Sequence, residues 1–105
     1  MYQYNTEAPA LDDVEARSSL TLLNFGTDWC GHCQAALTPV SNFLQQHSHV
    51  THITVEDGKG RPLGRHYKVN LWPRLILLKD GQEVARVVRP TTSSDLEPLS
   101  AEINA

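Results

Sequence analysis

Only two cysteines, one methionine and two tryptophans occur in this chain, and aromatic residues make up just 7% of it. Long apolar runs are absent too. None nears the ~18 residues that a membrane-spanning helix needs, so no membrane partner is expected. Positive charge is scarce: nine Lys and Arg stand against twelve Asp and Glu, for a formal charge of −3. Without a basic excess or aromatics interleaved among cations, nucleic acid is not an expected partner either. Gly58-Lys59-Gly60 lacks the rest of a phosphate-binding frame. Of the five histidines (His32, His47, His49, His52, His66), His47 and His49 come nearest to a ligand pair. They fall at the far end of the helix expected after Cys30, so no metal is expected. Residues 1–10 carry neither a basic n-region nor an apolar h-region. A chain starting at Met1 is therefore expected in the cytoplasm, where a lone cysteine pair is rarely a structural staple.

The 105 residues suffice for one core, so a single domain spanning 1–105 is expected. Residues 9–18 read as a short helix with proline near its start and acids in its first turn. Leu20 to Gly26 is a nearly continuous apolar run, the pattern of a strand buried on both faces. From Cys30 to His47, Leu37, Val40 and Leu44 keep helical spacing with Ala36 and Phe43 beside them, and Pro39 is expected to bend that helix. Val50 to Val55 reads as a strand, residues 62–68 as a short helix, and Asp80-Gly81 as the turn of a hairpin between Leu75–Leu78 and Glu83–Val88. Ser94 to Ile103 closes the chain as a helix, with Pro98 obscuring its start, and residues 2–4 offer a further strand. Strand–helix–strand order demands a parallel pair, and the hairpin adds antiparallel strands. The expected fold is a mixed sheet with helices on both faces.

Both cysteines lie three residues apart in Trp29-Cys30-Gly31-His32-Cys33, at the exit of a strand and the entrance of a helix. One helical turn closes such a pair into a disulfide, and the free N–H groups at a helix start favour an anionic sulfur. The pair is a redox centre or half of something the chain does not complete.

With Pro73 forty residues later and Lys79-Asp80-Gly81-Gln82-Glu83-Val84 after it, the chain resembles the thioredoxin family over nearly its whole length. The resemblance implies a thioredoxin-like three-layer α/β/α sandwich with a mixed central sheet of four or five strands. It also implies a thiol–disulfide oxidoreductase in which Cys30 attacks and Cys33 resolves. Pro73 would be cis and, with Trp29, Trp72 and Arg89, would shape the substrate groove. No cofactor beyond a Cys30–Cys33 disulfide is expected. The expected partners are protein disulfides and a reductase or small-thiol donor, and the expected state is a monomer.

The Gly31-His32 dipeptide is similar to that of protein disulfide isomerases. A histidine there favours the Cys30 thiolate and so the reduced form, giving an expected potential of roughly −190 to −240 mV.

Some positions depart from the family pattern. Asn24 stands where relatives carry a buried carboxylate, and an amide accepts no proton at neutral pH. His52, near the position of a family lysine, is a candidate substitute base. Gly26 replaces a usual aromatic and opens space beneath the motif, and Trp72 narrows the groove. Arg74, Lys59, Arg61, Arg65 and Lys68, with Arg89, could form a basic side that steers acidic partners. The alternative reading is a thioredoxin-like binding or chaperone module whose cysteines turn over little.

Overall fold

A computed structural model describes residues 1–105. The elements are α1 (Leu11–Glu15), β1 (Leu20–Gly26), α2 (Gly31–Gln46), β2 (Thr51–Glu56), α3 (Pro62–His66), β3 (Arg74–Lys79), β4 (Gln82–Val88), a 3₁₀ turn (Ser93–Leu96) and α4 (Glu97–Ile103). The sheet has four strands in the order β2-β1-β3-β4. β1 pairs parallel with β2, while β1 with β3 and β3 with β4 run antiparallel.

Alternation along the two central strands sorts their side chains into two layers. Leu22, Leu75 and Leu77 meet Ala36, Val40 and Phe43 of α2 and Leu99 of α4. Leu23, Phe25, Ile76 and Leu78 face the other way, onto Val14 of α1 and Leu63 of α3. Strands covered on both faces need apolar residues at every position, which is why β1 and β3 read as continuous runs. The helices on both faces complete the three-layer sandwich.

The expected strand at residues 2–4 does not form. Tyr4 N–H donates to Asp28 Oδ1 at 2.9 Å, and one backbone bond, Glu56 N–H to Asn5 C=O at 2.9 Å, joins this segment to β2. A ladder needs successive backbone pairs, and here a carboxylate has taken one donor. α1 and α3 are shorter than read from the sequence. Ser19 and Lys68 adopt left-handed backbone (φ 65° and 57°) shortly after them. Pro39 stands inside α2 without ending it, its ring buried. The buried stripe runs through Cys33, Ala36, Val40 and Phe43, leaving Leu37 and Leu44 half-buried at its margin. Pro98 lies in the first turn of α4, where its missing N–H costs nothing, so the 3₁₀ turn passes directly into the helix.

At the hairpin, Asp80 (φ 51°) and Gly81 (φ 83°) are both left-handed, the backbone of a type I′ turn. Asp80 also ties the turn to the start of β1. Its carboxylate accepts Ser19 N–H at 2.8 Å and its own N–H reaches Ser19 C=O at 2.9 Å. The β1–β3 register pairs Phe25 with Arg74 and so brings Pro73 beside the end of β1, where the cysteine motif begins.

Candidate active site

Cys30 is the residue before α2, with extended backbone (φ −80°, ψ 124°), and its Sγ accepts the Cys33 N–H at 3.4 Å. Both cysteines are free thiols. Their surroundings differ sharply: Cys30 is half-buried, whereas Cys33 is 1% exposed. Burial pushes the Cys33 thiol up to about 12, partly opposed by the Thr27 backbone amide and the Tyr4 hydroxyl, while the neighbouring Cys30 sulfur adds to the rise. One sulfur is thus presented at the mouth of a helix, and the other stays protonated behind it.

The groove residues named from the sequence meet at this mouth. The Trp72–Pro73 peptide bond is cis. Arg89, itself left-handed at φ 51°, donates its backbone N–H to Pro73 C=O at 3.0 Å and its Nε–H to Trp72 C=O at 2.8 Å. The Trp72 indole N–H is fixed on Asp57 Oδ2 at 2.8 Å, and Asp57 is buried beside Gly64, whose lack of a side chain leaves room for that carboxylate. Trp29 projects 74% exposed and meets Trp72 edge to face, with centroids 5.9 Å apart. Gly31 and His32 are exposed on the first turn of α2, and no hydrogen-bond partner comes to the His32 ring. Of the other cations, Arg61 is engaged by Glu56 at 2.7 Å and Arg74 by Asn70 at 3.0 Å.

Beneath Cys33 lies a polar chain that the sequence only half disclosed. Asn24 is fully buried; its Nδ2–H donates to His52 Nε2 at 3.2 Å, and its Oδ1 accepts the Tyr4 hydroxyl at 2.6 Å. His52 therefore reaches Asn24 rather than Cys33. The Tyr2 ring stands edge-on against His52 at 4.8 Å. Gly26 explains how Tyr4 fits: a Cβ there would stand 2.6 Å from Cys33 Sγ and 2.8 Å from the Tyr4 hydroxyl. The N-terminal tyrosine has taken the space that the missing aromatic left. Tyr4 and Asp57 were not legible as site residues. The one signal was the opening at Gly26, which required some distant side chain to fill it.

A family model described as Thioredoxin matches residues 4–102. Thioredoxin of Chlamydia pneumoniae is 42% identical over 72 residues, covering 68% of this chain and 70% of that one. The thioredoxin of Chlamydia trachomatis is 45% identical over 73 residues, with the same coverage. The chain belongs to the thioredoxin family. Thioredoxin H-type of Fagopyrum esculentum is 33% identical over 69 residues, 66% of this chain and 60% of that protein. Among solved structures, thioredoxin 2 from Pseudomonas aeruginosa in its reduced form superposes with a TM-score of 0.85 at 48% identity, over 97% of this chain and 94% of that one. Thioredoxins are thiol–disulfide oxidoreductases that work through a cysteine pair, and Cys30 and Cys33 place this chain among them.

The half-buried His52 is expected to make the stability of this thioredoxin pH-dependent. Burial lowers His52 to about 4 from 6.5, so it is neutral in the folded protein at pH 7. Below pH 6.5 the unfolded chain takes the proton first. Stability is thus full above that value and is lost as pH falls toward 4, by roughly 3 kcal/mol. His52→Gln removes the titration while keeping an acceptor for Asn24. Denaturant midpoints at pH 7 and pH 4.5 should fall further for wild type than for His52→Gln; equal losses would refute the assignment.

Proposed function

We infer that this chain reduces protein disulfides, with Cys30 as nucleophile and Cys33 as resolving thiol. The Cys30 thiolate attacks one sulfur of the substrate disulfide, and the other leaves as a thiolate with the electron pair. Cys33, once deprotonated, attacks Cys30 Sγ; the mixed disulfide breaks, the second substrate thiolate departs and takes a proton from solvent, and a Cys30–Cys33 disulfide remains. A reductase or small thiol returns two electrons, and neither metal nor organic cofactor enters. This direction of transfer suits a reducing compartment such as the cytoplasm. The observation that supports the reading best is the pairing of an accessible sulfur at a helix start with a buried thiol behind it, beside cis Pro73.

Trp29, Trp72, Pro73 and Arg89 form the docking rim, and Arg89 acts by holding the Trp72 and Pro73 carbonyls in place. Exposed His32 tunes the potential, as in proteins with a Gly-His pair between their cysteines. Insulin reduction with dithiothreitol, followed by precipitation of the freed B chain, tests the activity. Equilibration against glutathione, read by thiol trapping and mass spectrometry, tests the tuning. Turnover with a potential of roughly −190 to −240 mV is expected. Negligible turnover alongside tight client binding would favour the chaperone-like module instead.

A further inference from the structure

The resolving step needs a proton removed from Cys33, yet the position where relatives carry a buried carboxylate holds Asn24. His52, the other candidate base, reaches only that amide. Two further features stand beside Cys33. The Tyr4 hydroxyl faces its sulfur across the space above Gly26 and favours its thiolate. A cavity of about 430 Å³, lined by Tyr4, Thr27, Asp28, Cys33 and Gln34 among others, runs from the N-terminal segment to Cys33, which itself is 1% exposed. That volume admits several water molecules, at about 30 Å³ each.

We propose that Tyr4 is a catalytic residue of the resolving step, serving as the hydrogen-bond donor that holds the Cys33 thiolate while the cavity carries its proton to solvent. The hydroxyl has a single hydrogen. In the dithiol state that hydrogen lies on Asn24 Oδ1, at 2.6 Å. When a water or small buffer base entering the cavity takes the Cys33 proton, the hydroxyl turns its hydrogen onto the sulfur. Asn24 supports the turn because its amide presents a donor and an acceptor at opposite ends. Rotated by half a turn, it donates Nδ2–H to the Tyr4 oxygen and offers Oδ1 to His52. Neutral His52, only half-buried, meets this by exchanging tautomers through water, which takes the Nδ1 proton while another is delivered to Nε2. The chain Cys33–Tyr4–Asn24–His52 thus reverses its sense while each group keeps its net charge, except the sulfur, which becomes anionic. The thiolate then attacks Cys30 Sγ, the bond between Cys30 and the substrate sulfur breaks, and the departing thiolate is reprotonated by solvent. Protons and electrons balance without any buried base.

The titratable and charged groups around this sulfur are Cys30 at the N-cap of α2, Tyr2 and Tyr4 on the N-terminal segment, Asp28 on the loop after β1, and His52 on β2 behind Asn24. Burial holds Tyr4 well above the ordinary tyrosine range, which keeps it a donor rather than a base. This assignment rests on the two-cysteine exchange set out above and deepens its second half.

5,5′-Dithiobis(2-nitrobenzoate) separates the halves: Cys30 attack releases the first coloured thiolate and Cys33 attack the second. Tyr4→Phe, which keeps the ring, is expected to leave the first phase unchanged. It should slow the second about 10- to 100-fold, the worth of one hydrogen bond to a charged group, and shift its pH profile upward. Glu7→Gln, a change at an exposed side chain of the same segment, should leave both phases alone. A second phase unchanged in rate and pH profile in Tyr4→Phe overturns the proposal. Absence of the first phase from wild type overturns the exchange reading itself. Should Tyr4→Phe fail to fold, 3-fluorotyrosine placed at position 4 keeps the ring and makes the hydroxyl a stronger donor. The second phase should then extend to lower pH, and an unaltered profile would count against Tyr4.

Discussion

Cys30→Ser should remove insulin reduction almost entirely, lowering turnover at least ~1,000-fold, because a serine hydroxyl remains protonated where a thiolate is required. The fold should survive, since the residue is half-exposed and a serine can still cap α2 by accepting the Cys33 N–H that now meets sulfur at 3.4 Å. Cys33→Ser should also halt turnover, but by a different route. Cys30 still attacks, and the substrate stays attached as a mixed disulfide visible by mass spectrometry. The contrast carries the argument. Adducts accumulating on Cys33 in the Cys30→Ser protein would reverse the two roles, and retained turnover in either variant would exclude the two-cysteine cycle.

Gly81→Ala should cost about 2–4 kcal/mol, lowering the melting temperature by roughly 10 °C or more. Two independent causes act there. The backbone at φ 83° is one that only glycine adopts without strain. An added Cβ would also drive into the Glu15 backbone carbonyl at the end of α1. Neither contact can yield cheaply, because Asp80 is bound at two points to Ser19, just after that helix. Gly58→Ala is the control. Its Cβ would meet only Arg61 Cγ at 4.0 Å, so a change within about 0.5 kcal/mol is expected. Thermal unfolding of the two variants checks the difference; similar melting points would remove the hairpin turn as a determinant of stability.

Hydrophobic pattern made some parts of this architecture legible in advance, while others depended on contacts distant in sequence. The bounds of β1 and the Asp80-Gly81 turn were readable because each has a strong local cause: burial on both faces, and a backbone that requires positive φ. The exchange pair was readable from its spacing and its position between strand and helix. Residues 2–4 were misread as a strand because their outcome depends on Asp28, 24 positions from Tyr4, which takes a donor that a ladder would use. The Asn24–His52 neighbourhood was anticipated through the family resemblance, but Tyr4 was not. Its place is set by the vacancy over Gly26, and a glycine records that something approaches without saying what. Trp72 was singled out from the sequence, whereas its hydrogen-bond partner Asp57 was hidden in a turn-rich segment that reads as solvated loop.

The chain's two indoles are Trp29 and Trp72, and they touch each other at the rim of the site. Indole emission, excited at the red edge where the three tyrosines do not absorb, therefore originates at one location. Closure of the sulfur bridge, docking of a client or loosening of the loop after β1 would each register as a change in that light, without an attached dye.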